Sequence, residues 1–222
     1  MYKRAFSVSL LVLQLSVSAL VGASESDPEQ GFYVYQLCAD CHSREGWGTE
    51  DGQTPVIAGQ HPSVLIKQLR DFREGHRSND AMYPFSQEEA IGGEQAIADV
   101  VAYISTLPMQ ASPTVGSGKN LHTGSGRYMT LCADCHGSKA EGSNTGVYPR
   151  LQSQHYTYLV AQIEAMISGA RTDVNAAMMD RLQNLSRQDI EAIADYISRI
   201  PPPEELLAPE GWENADFNYG IQ

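Results

Sequence analysis

Two short cysteine motifs hold the residues of this chain that are best suited to chemistry. Each reads Cys-Ala-Asp-Cys-His, and together they contain all four cysteines of the 222 residues. Two thiols separated by two residues can add to the two vinyl groups on one porphyrin edge, and the following histidine can bind the iron; this is the attachment motif of c-type haem. The sequence therefore predicts two covalent haem c groups with a histidine on each iron. The residues are Cys38, Cys41 and His42 in the first motif and Cys132, Cys135 and His136 in the second.

Zinc binding and dithiol redox chemistry are the rival interpretations of these motifs. Two C-x-x-C pairs could form one four-thiolate zinc site, and a single pair could form a thioredoxin-like dithiol. However, a histidine follows each pair directly, each pair has the same place in a repeat, and no strand–helix–strand pattern surrounds either pair. These features favour haem.

Methionines after each motif are the candidates for the second axial ligand. Met82 lies in a predicted loop of the first repeat, whereas Met109 follows the last helix and its stopping proline. In the second repeat, Met166 falls inside a predicted helix and is assigned to the core. Met178 and Met179 occupy the equivalent predicted loop. We favour Met82 and Met178 as ligands, with Met179 as the alternative to Met178.

An aligned pair of histidines, His61 and His155, is the rival ligand set. Each stands at the start of a predicted helix soon after the motif histidine. That position favours helix capping, or a contact near a haem edge, over iron ligation.

Two further aligned pairs are candidates for supporting roles. Pro55 and Pro149 each follow the motif histidine by 13 residues. A carbonyl there could accept the Nδ1 proton of the imidazole, which orients the ring and raises its basicity. Arg77 and Arg171 end the second helix of each repeat and could pair with haem propionates, because guanidinium suits carboxylates; solvated surface positions are the alternative.

The chain is a duplicated small domain. At an offset of 94 residues, 15 of the 41 positions in 37–77 are identical to those in 131–171, while the closing helices match at an offset of 93. Predicted helices cover residues 28 to the first motif, 62–74 and 94–107, with counterparts at 156–168 and 186–200. No alternating strand pattern is present, so the predicted fold class is all-α. Residues 109–120 are rich in Pro, Gly and Ser, which predicts an exposed linker.

The N-terminus has the pattern of an export signal. Lys3 and Arg4 precede an uncharged run, and Val-Gly-Ala at 21–23 fits a signal-peptidase site. We expect cleavage after Ala23 and a periplasmic protein, with an uncleaved membrane anchor as the alternative. The predicted organisation is signal peptide 1–23, first domain 24–108, linker 109–120, second domain 121–203 and acidic tail 204–222.

The charge excludes one class of partner. The whole chain carries a formal charge of −12, which becomes −14 when the two basic residues of the signal peptide are removed. Such a surface repels phosphate backbones, so nucleic-acid binding is not expected.

These features together resemble class I cytochromes c, and specifically the tandem dihaem cytochrome c-four family. The resemblance is carried by the two CADCH motifs, the helices after Gln60-His61 and Gln154-His155, the methionine segments and the closing helices. It implies two domains, each a few short helices around one His/Met-ligated haem, that face each other about a pseudo-twofold axis. The segment PFSQEEAIGGEQ after Met82 and the acidic tail depart from the family pattern.

The function expected from the resemblance is single-electron transfer in a periplasmic respiratory chain, without substrate chemistry. The expected partners are redox proteins such as a quinol–cytochrome c reductase or a terminal oxidase, met by a monomer or in a weak complex. The alternatives are a cytochrome subunit of a periplasmic dehydrogenase and a peroxidase-like dihaem enzyme with an open haem site.

Overall fold

The computed structural model describes residues 25–217. The predicted signal peptide and its cleavage site after Ala23 lie outside the described residues, as do the last five residues of the tail. Within the described part, the regular structure consists of α-helices and two short 3-10 helices, and β pairing is limited to three isolated bridges. The prediction of an all-α fold is confirmed. No helix among residues 25–217 is long and apolar enough to cross a membrane.

The N-terminal domain begins with the helix that carries the first motif. Asp27 caps this helix by accepting a bond from the N–H of Glu29 at 2.9 Å, and a proline follows at the first helical position. The helices of this domain are α1 (Pro28–His42), α2 (Pro62–Arg73), α3 (Tyr83–Ser86), α4 (Glu88–Ile91) and α5 (Glu94–Ile104).

The C-terminal domain repeats this order with one interruption. Ser186 and Asp189 form the predicted capping box at the start of its last helix, and Gly169 ends its third helix in the left-handed conformation. The helices are α6 (Leu121–Leu131), α7 (Ala133–His136), α8 (Tyr156–Ser168), α9 (Ala176–Leu182) and α10 (Arg187–Ser198), followed by 3-10 turns at Glu204–Leu206 and Ala215–Phe217.

Two helix predictions need correction. The closing helices end at Ile104 and Ser198, a few residues before the predicted limits of 107 and 200. Met178 and Met179 lie within α9 and not in a loop, because the side chain of Asn175 accepts a bond from the N–H of Met178 at 2.8 Å and starts a short helix.

The first and last helices of each domain cross at a glycine. Gly31 in α1 faces the backbone of α5, and Gly124 in α6 faces the backbone of α10; a Cβ atom at either position would lie 2.0 Å from a carbonyl oxygen. Close approach of this kind requires glycine. The two glycines are 93 residues apart, whereas the cysteine motifs are 94 apart. One extra residue therefore separates Gly124 from its motif, and the helix is broken at Cys132 between α6 and α7.

Each crossing buries one apolar core. A fully buried tyrosine of the first helix packs on the isoleucine stripe of the last helix in both domains. The central residues are Tyr35, Ile97, Val100 and Ile104 in one core and Tyr128, Ile190, Ile193 and Ile197 in the other. Because the first helix of the N-terminal domain contains its cysteine motif and that of the C-terminal domain ends directly before its motif, core packing determines where the motifs lie.

The linker and the tail are held against the N-terminal domain, so the expectation of an exposed linker is wrong at its start. Met109 is buried, donates its N–H to the carbonyl of Leu206 at 2.7 Å and accepts from the N–H of Ala208 at 2.9 Å. The ring of Trp212 lies 5.7 Å from that of Trp47. The tail therefore returns across the molecule and covers part of the first domain.

Candidate haem sites

Each cysteine pair lies on consecutive turns of helical backbone, which places both thiols on one face. In α1 the two positions are three residues apart in a continuous helix, and in the second motif the N–H of Cys135 donates to the carbonyl of Cys132 at 3.2 Å. None of the four thiols is joined in a disulfide. Cys38 and Cys132 are partly buried against the core of their domain, and this burial raises the pKa of Cys38 to about 12 and that of Cys132 to about 11.

The motif histidines are buried and oriented by the predicted proline carbonyls. Nδ1 of His42 lies 3.0 Å from the carbonyl oxygen of Pro55, and Nδ1 of His136 lies 3.0 Å from that of Pro149. Burial lowers the pKa of both imidazoles, although the bond to the carbonyl opposes this shift. Each ring is therefore neutral and donates from Nδ1, which leaves Nε2 as the nitrogen that can bind iron.

Two tyrosines that sequence reasoning missed hold the turn after each motif. The hydroxyl of Tyr35 donates to the carbonyl of Ser43 at 2.8 Å, and that of Tyr128 donates to the carbonyl of Gly137 at 2.6 Å. Tyr35 and Tyr128 are 93 residues apart, whereas the cysteine motifs are 94 residues apart, so an alignment at the offset of the motifs does not pair the two tyrosines. The tyrosines belong to the part of each first helix that packs on the last helix, before the extra residue of the second repeat.

A cavity of about 410 Å³ has the attachment residues of the second motif in its wall, and it extends to the N-terminal domain, which contributes Pro55, Val56 and Leu65. Cys132, Cys135 and His136 line it, and Met178 lines it as well, whereas Met179 does not. The rest of the wall is mostly apolar, with Ile163, Leu182 and Ile193, but it also includes the charged residues Arg171 and Asp173. Two thiols, an imidazole, a thioether and an apolar wall are the donor set and surroundings that fit a covalent haem.

The two candidate methionines share one local structure. The side chain of Asn79 accepts from the N–H of Met82 at 3.0 Å, and that of Asn175 accepts from the N–H of Met178 at 2.8 Å. The backbone carbonyl of each asparagine also accepts from the same methionine N–H at 3.1 Å. Met82 and Met178 are therefore structural equivalents, and Met179 is the equivalent of Tyr83.

The structure does not assemble the rival zinc site. Among residues 25–217, no three His, Cys, Asp or Glu side chains converge in a group that could hold a metal ion. The two cysteine pairs belong to separate domains, so they do not form a four-thiolate cluster.

Arg77 and Arg171 lie at the interface between the domains, where their backbones form an isolated antiparallel bridge. Arg77 is only 5% exposed, and its guanidinium donates to the hydroxyl of Tyr158 and to Oε1 of Gln162. Arg171 makes a two-point ion pair with Asp173 at 2.7 and 3.0 Å. Neither arginine is a solvated surface charge, and pairing with propionates stays a prediction.

His61 and His155 occupy the N-cap positions of α2 and α8, but neither side chain makes a capping hydrogen bond, contrary to one of the two expected roles. Each imidazole instead crosses to the other domain. Nε2 of His61 lies 2.8 Å from the carbonyl of Glu141, and Nε2 of His155 lies 2.7 Å from that of Trp47. Glu141 and Trp47 are 94 residues apart, so the two bonds are equivalent.

Comparisons with known proteins agree with this geometry. The family model for cytochrome c matches residues 28–108 and 121–201. Cytochrome c4 of Azotobacter vinelandii is 30% identical over 209 residues, covering 86% of this chain and 96% of that protein. The thiosulfate dehydrogenase electron acceptor of Stutzerimonas stutzeri is 28% identical over 207 residues, covering 85% and 94%. The crystal structure of reduced recombinant cytochrome c4 from Pseudomonas stutzeri matches with a TM-score of 0.70 at 25% identity, covering 79% of this chain and 99% of that one.

The family model covers both repeats, and each match contains one complete C-x-x-C-H motif with its buried histidine. The chain belongs to the cytochrome c family, as a tandem cytochrome c4-like protein with one covalently bound haem c in each domain.

Proposed function

We propose that the chain is a periplasmic single-electron carrier in which both axial positions of both irons are filled by the protein. The ligands are His42 and Met82 in the N-terminal domain and His136 and Met178 in the C-terminal domain. With both positions filled, neither iron has a site for substrate, and the protein passes electrons between redox partners.

One observation carries this proposal: His136 and Met178 line the same cavity as the two attachment cysteines. We infer the same ligation in the first domain, because Met82 occupies an asparagine-capped turn equivalent to that of Met178. The spacing Asn-x-x-Met recurs in both domains, so one local structure presents a thioether in each.

Haem c supplies a one-electron couple between ferrous and ferric iron, and a methionine ligand raises its potential. The chain's own residues orient the ligands. The carbonyls of Pro55 and Pro149 hold the imidazoles in one tautomer, and Asn79 and Asn175 hold the methionine turns. The aliphatic side chains of the cavity wall would limit the access of water to the iron.

The location and partners follow from the N-terminal sequence and the charge. An export signal ending at Ala23 would deliver the mature chain, from Ser24 onward, to the periplasm. Its strongly acidic surface would steer it to a basic docking patch, so electron exchange should slow as salt is added. A quinol–cytochrome c reductase as donor and a terminal oxidase as acceptor fit this role.

A dedicated acceptor for a dehydrogenase is the second candidate. It is favoured by the similarity to the thiosulfate dehydrogenase electron acceptor of Stutzerimonas stutzeri. In that case the substrate would react on the partner enzyme and this chain would only accept the electrons, because both axial positions of both irons would be filled by its own residues.

Carbon monoxide binding to the dithionite-reduced holoprotein tests the proposal. Ferrous haem with two protein ligands resists carbon monoxide, so we expect an unchanged Soret band for both haems at neutral pH. A shift of half the Soret intensity would show one open iron and would favour the peroxidase-like alternative.

A further inference from the structure

Gln60 and Gln154 occupy equivalent positions in the two repeats, and each pairs its side-chain amide with the backbone of the other domain. Nε2 of Gln154 donates to the carbonyl of Val56 at 2.8 Å, and its Oε1 accepts from the Val56 N–H at 2.9 Å. Gln60 makes the same two bonds with Arg150, both at 2.9 Å. Each side chain therefore engages one residue's N–H and carbonyl, as a neighbouring strand does in a sheet.

The backbone held in this way also contacts an iron-binding histidine. The carbonyl of Pro55 and the N–H of Val56 belong to one planar peptide unit. Its oxygen lies 3.0 Å from Nδ1 of His42, and its N–H donates to Gln154. A continuous chain of hydrogen bonds thus joins the axial histidine of the first domain to a glutamine of the second through a single peptide unit.

The second domain repeats the arrangement. The peptide unit between Pro149 and Arg150 accepts from Nδ1 of His136 at 3.0 Å and donates its N–H to Oε1 of Gln60 at 2.9 Å. Each domain therefore contributes a glutamine that is connected by hydrogen bonds to the axial histidine of the other domain.

Hydrogen bonds in series polarise one another. An acceptor on the N–H of a peptide makes its carbonyl oxygen more negative, so this oxygen binds the imidazole Nδ1–H more strongly. A stronger bond at Nδ1 raises the basicity of the ligand. A more basic imidazole stabilises ferric iron relative to ferrous iron and lowers the reduction potential.

We propose that Gln60 and Gln154 are positioning residues through which the docking of one domain lowers the reduction potential of the haem in the other. The proposal rests on the proposed function, because it takes His42 and His136 as axial ligands. Gln154 is 7% exposed and its two bonds are buried, whereas those of Gln60 are only partly buried. The larger effect is therefore expected at the haem of the N-terminal domain.

The test uses the full holoprotein with the single substitutions Gln154→Met and Gln60→Met, which keep the side-chain length and remove both polar atoms. The exchange rate of the backbone amide reports whether the cross-domain hydrogen bond is present. A redox titration followed through the NMR signals of the haem methyl groups measures the reduction potential of each haem separately. In Gln154→Met, we expect exchange of the Val56 amide to accelerate about tenfold. The potential of the N-terminal haem should rise, while the Arg150 amide and the C-terminal haem keep their values.

Gln60→Met should give the reciprocal result, with faster exchange at Arg150 and a raised potential at the C-terminal haem. A potential shift confined to the haem of the substituted domain would overturn the proposal. So would unchanged potentials in both variants, whatever the exchange rates.

Ser63→Ala is the matched control for general loosening of the interface. The hydroxyl of Ser63 donates to the carbonyl of Asn144 in the other domain at 2.6 Å, a bond that the substitution removes, while the backbone N–H of Ser63 keeps its bond to Oδ1 of Asn144 at 3.0 Å. Neither bond involves the two peptide units. We expect Ser63→Ala to leave both potentials unchanged, and a shift as large as that of Gln154→Met would overturn the proposal. Failure of the proposed ligation would show separately, as a missing far-red methionine–iron band in the unsubstituted protein.

Discussion

Replacing Gly124 with alanine should push apart the two helices that position the second motif. An alanine Cβ would lie 2.0 Å from the carbonyl oxygen of Ala192 and 3.0 Å from the Cβ of Tyr196. Carbon–oxygen contacts are ordinarily about 3.3 Å, so α6 and α10 must separate by roughly 1 Å. Because the obstacle is backbone, no rotamer change can relieve it.

The expected cost follows from two opposing effects. Overpacking against backbone costs about 3 kcal/mol, and replacing a helical glycine with alanine returns about 1 kcal/mol. The net loss is about 2 kcal/mol, which lowers the urea midpoint of the holoprotein by about 1 M when the slope is about 2 kcal/mol per molar. Far-ultraviolet circular dichroism during urea titration measures this midpoint.

Gly126→Ala is the control, because it makes the same substitution in the same helix. A Cβ at Gly126 meets nothing within 4 Å, so only the gain in helix propensity applies and the midpoint should rise by up to about 0.5 M. A Gly124→Ala midpoint equal to or above that of Gly126→Ala would refute the close-approach argument. Gly31→Ala should behave like Gly124→Ala, since its Cβ would lie 2.0 Å from the carbonyl of Asp99.

Two further predictions concern the tail and the interface. Asn214→Ala removes the bonds to the carbonyl of Arg44 (2.7 Å) and the hydroxyl of Tyr103 (3.0 Å) and should cost about 2 kcal/mol in urea unfolding, whereas exposed Glu213→Ala should cost nothing measurable. Burial lowers the pKa of His155. The neutral imidazole therefore contributes its full stability above the ordinary pKa of about 6.5, and this contribution is lost as the pH falls below that value. The substitution His155→Gln should make the urea midpoint less dependent on pH between about pH 7 and 5.

Equal midpoints for the Asn214 and Glu213 variants would show that the tail does not stabilise the first domain. An unchanged pH slope in His155→Gln would show that this imidazole titrates alike in the folded and unfolded chains.

The haem-attachment residues were predictable because covalent chemistry imposes a strict spacing on them. Cys38, Cys41 and His42 are recognisable without any tertiary information, and so is the carbonyl of Pro55, which lies at the same distance from the histidine in both repeats. Most of the long helices were predictable, some of them from capping residues such as Asp27 and Ser186, but α6 was not predicted, and no side-chain hydrogen bond caps its start. The short helix α9 was not predictable either, because its seven residues carry too little periodic pattern.

The contacts between the domains were not predictable for a different reason. Gln60 and Gln154 recognise backbone atoms 90 and 98 residues away, and backbone acceptors leave no trace in residue type. The tail contained a usable signal, since Trp212 and Phe217 are large aromatic side chains in an otherwise acidic segment. Their partners on the first domain required the structure.

The equivalence of Met82 and Met178 has a signal in the sequence, but one that is easily overlooked. Met82 and Met178 each follow an asparagine by three residues, and that asparagine bonds the methionine N–H in both domains. The offset between these turns is 96, whereas that of the motifs is 94, so an alignment that keeps one offset does not pair them.

The ligation of the two irons is most directly tested by the far-red absorption band between methionine sulfur and ferric iron. It should be measured per haem, with haem content from the pyridine haemochrome, in the oxidised holoprotein and in Met82→Ala, Met178→Ala and Met179→Ala. We predict two haems per chain, a band that falls by about half in the first two variants because each removes one of two equivalent ligands, and no loss in Met179→Ala. A band that is absent from the unsubstituted protein, or halved by Met179→Ala and unaffected by Met178→Ala, would contradict the proposed ligation.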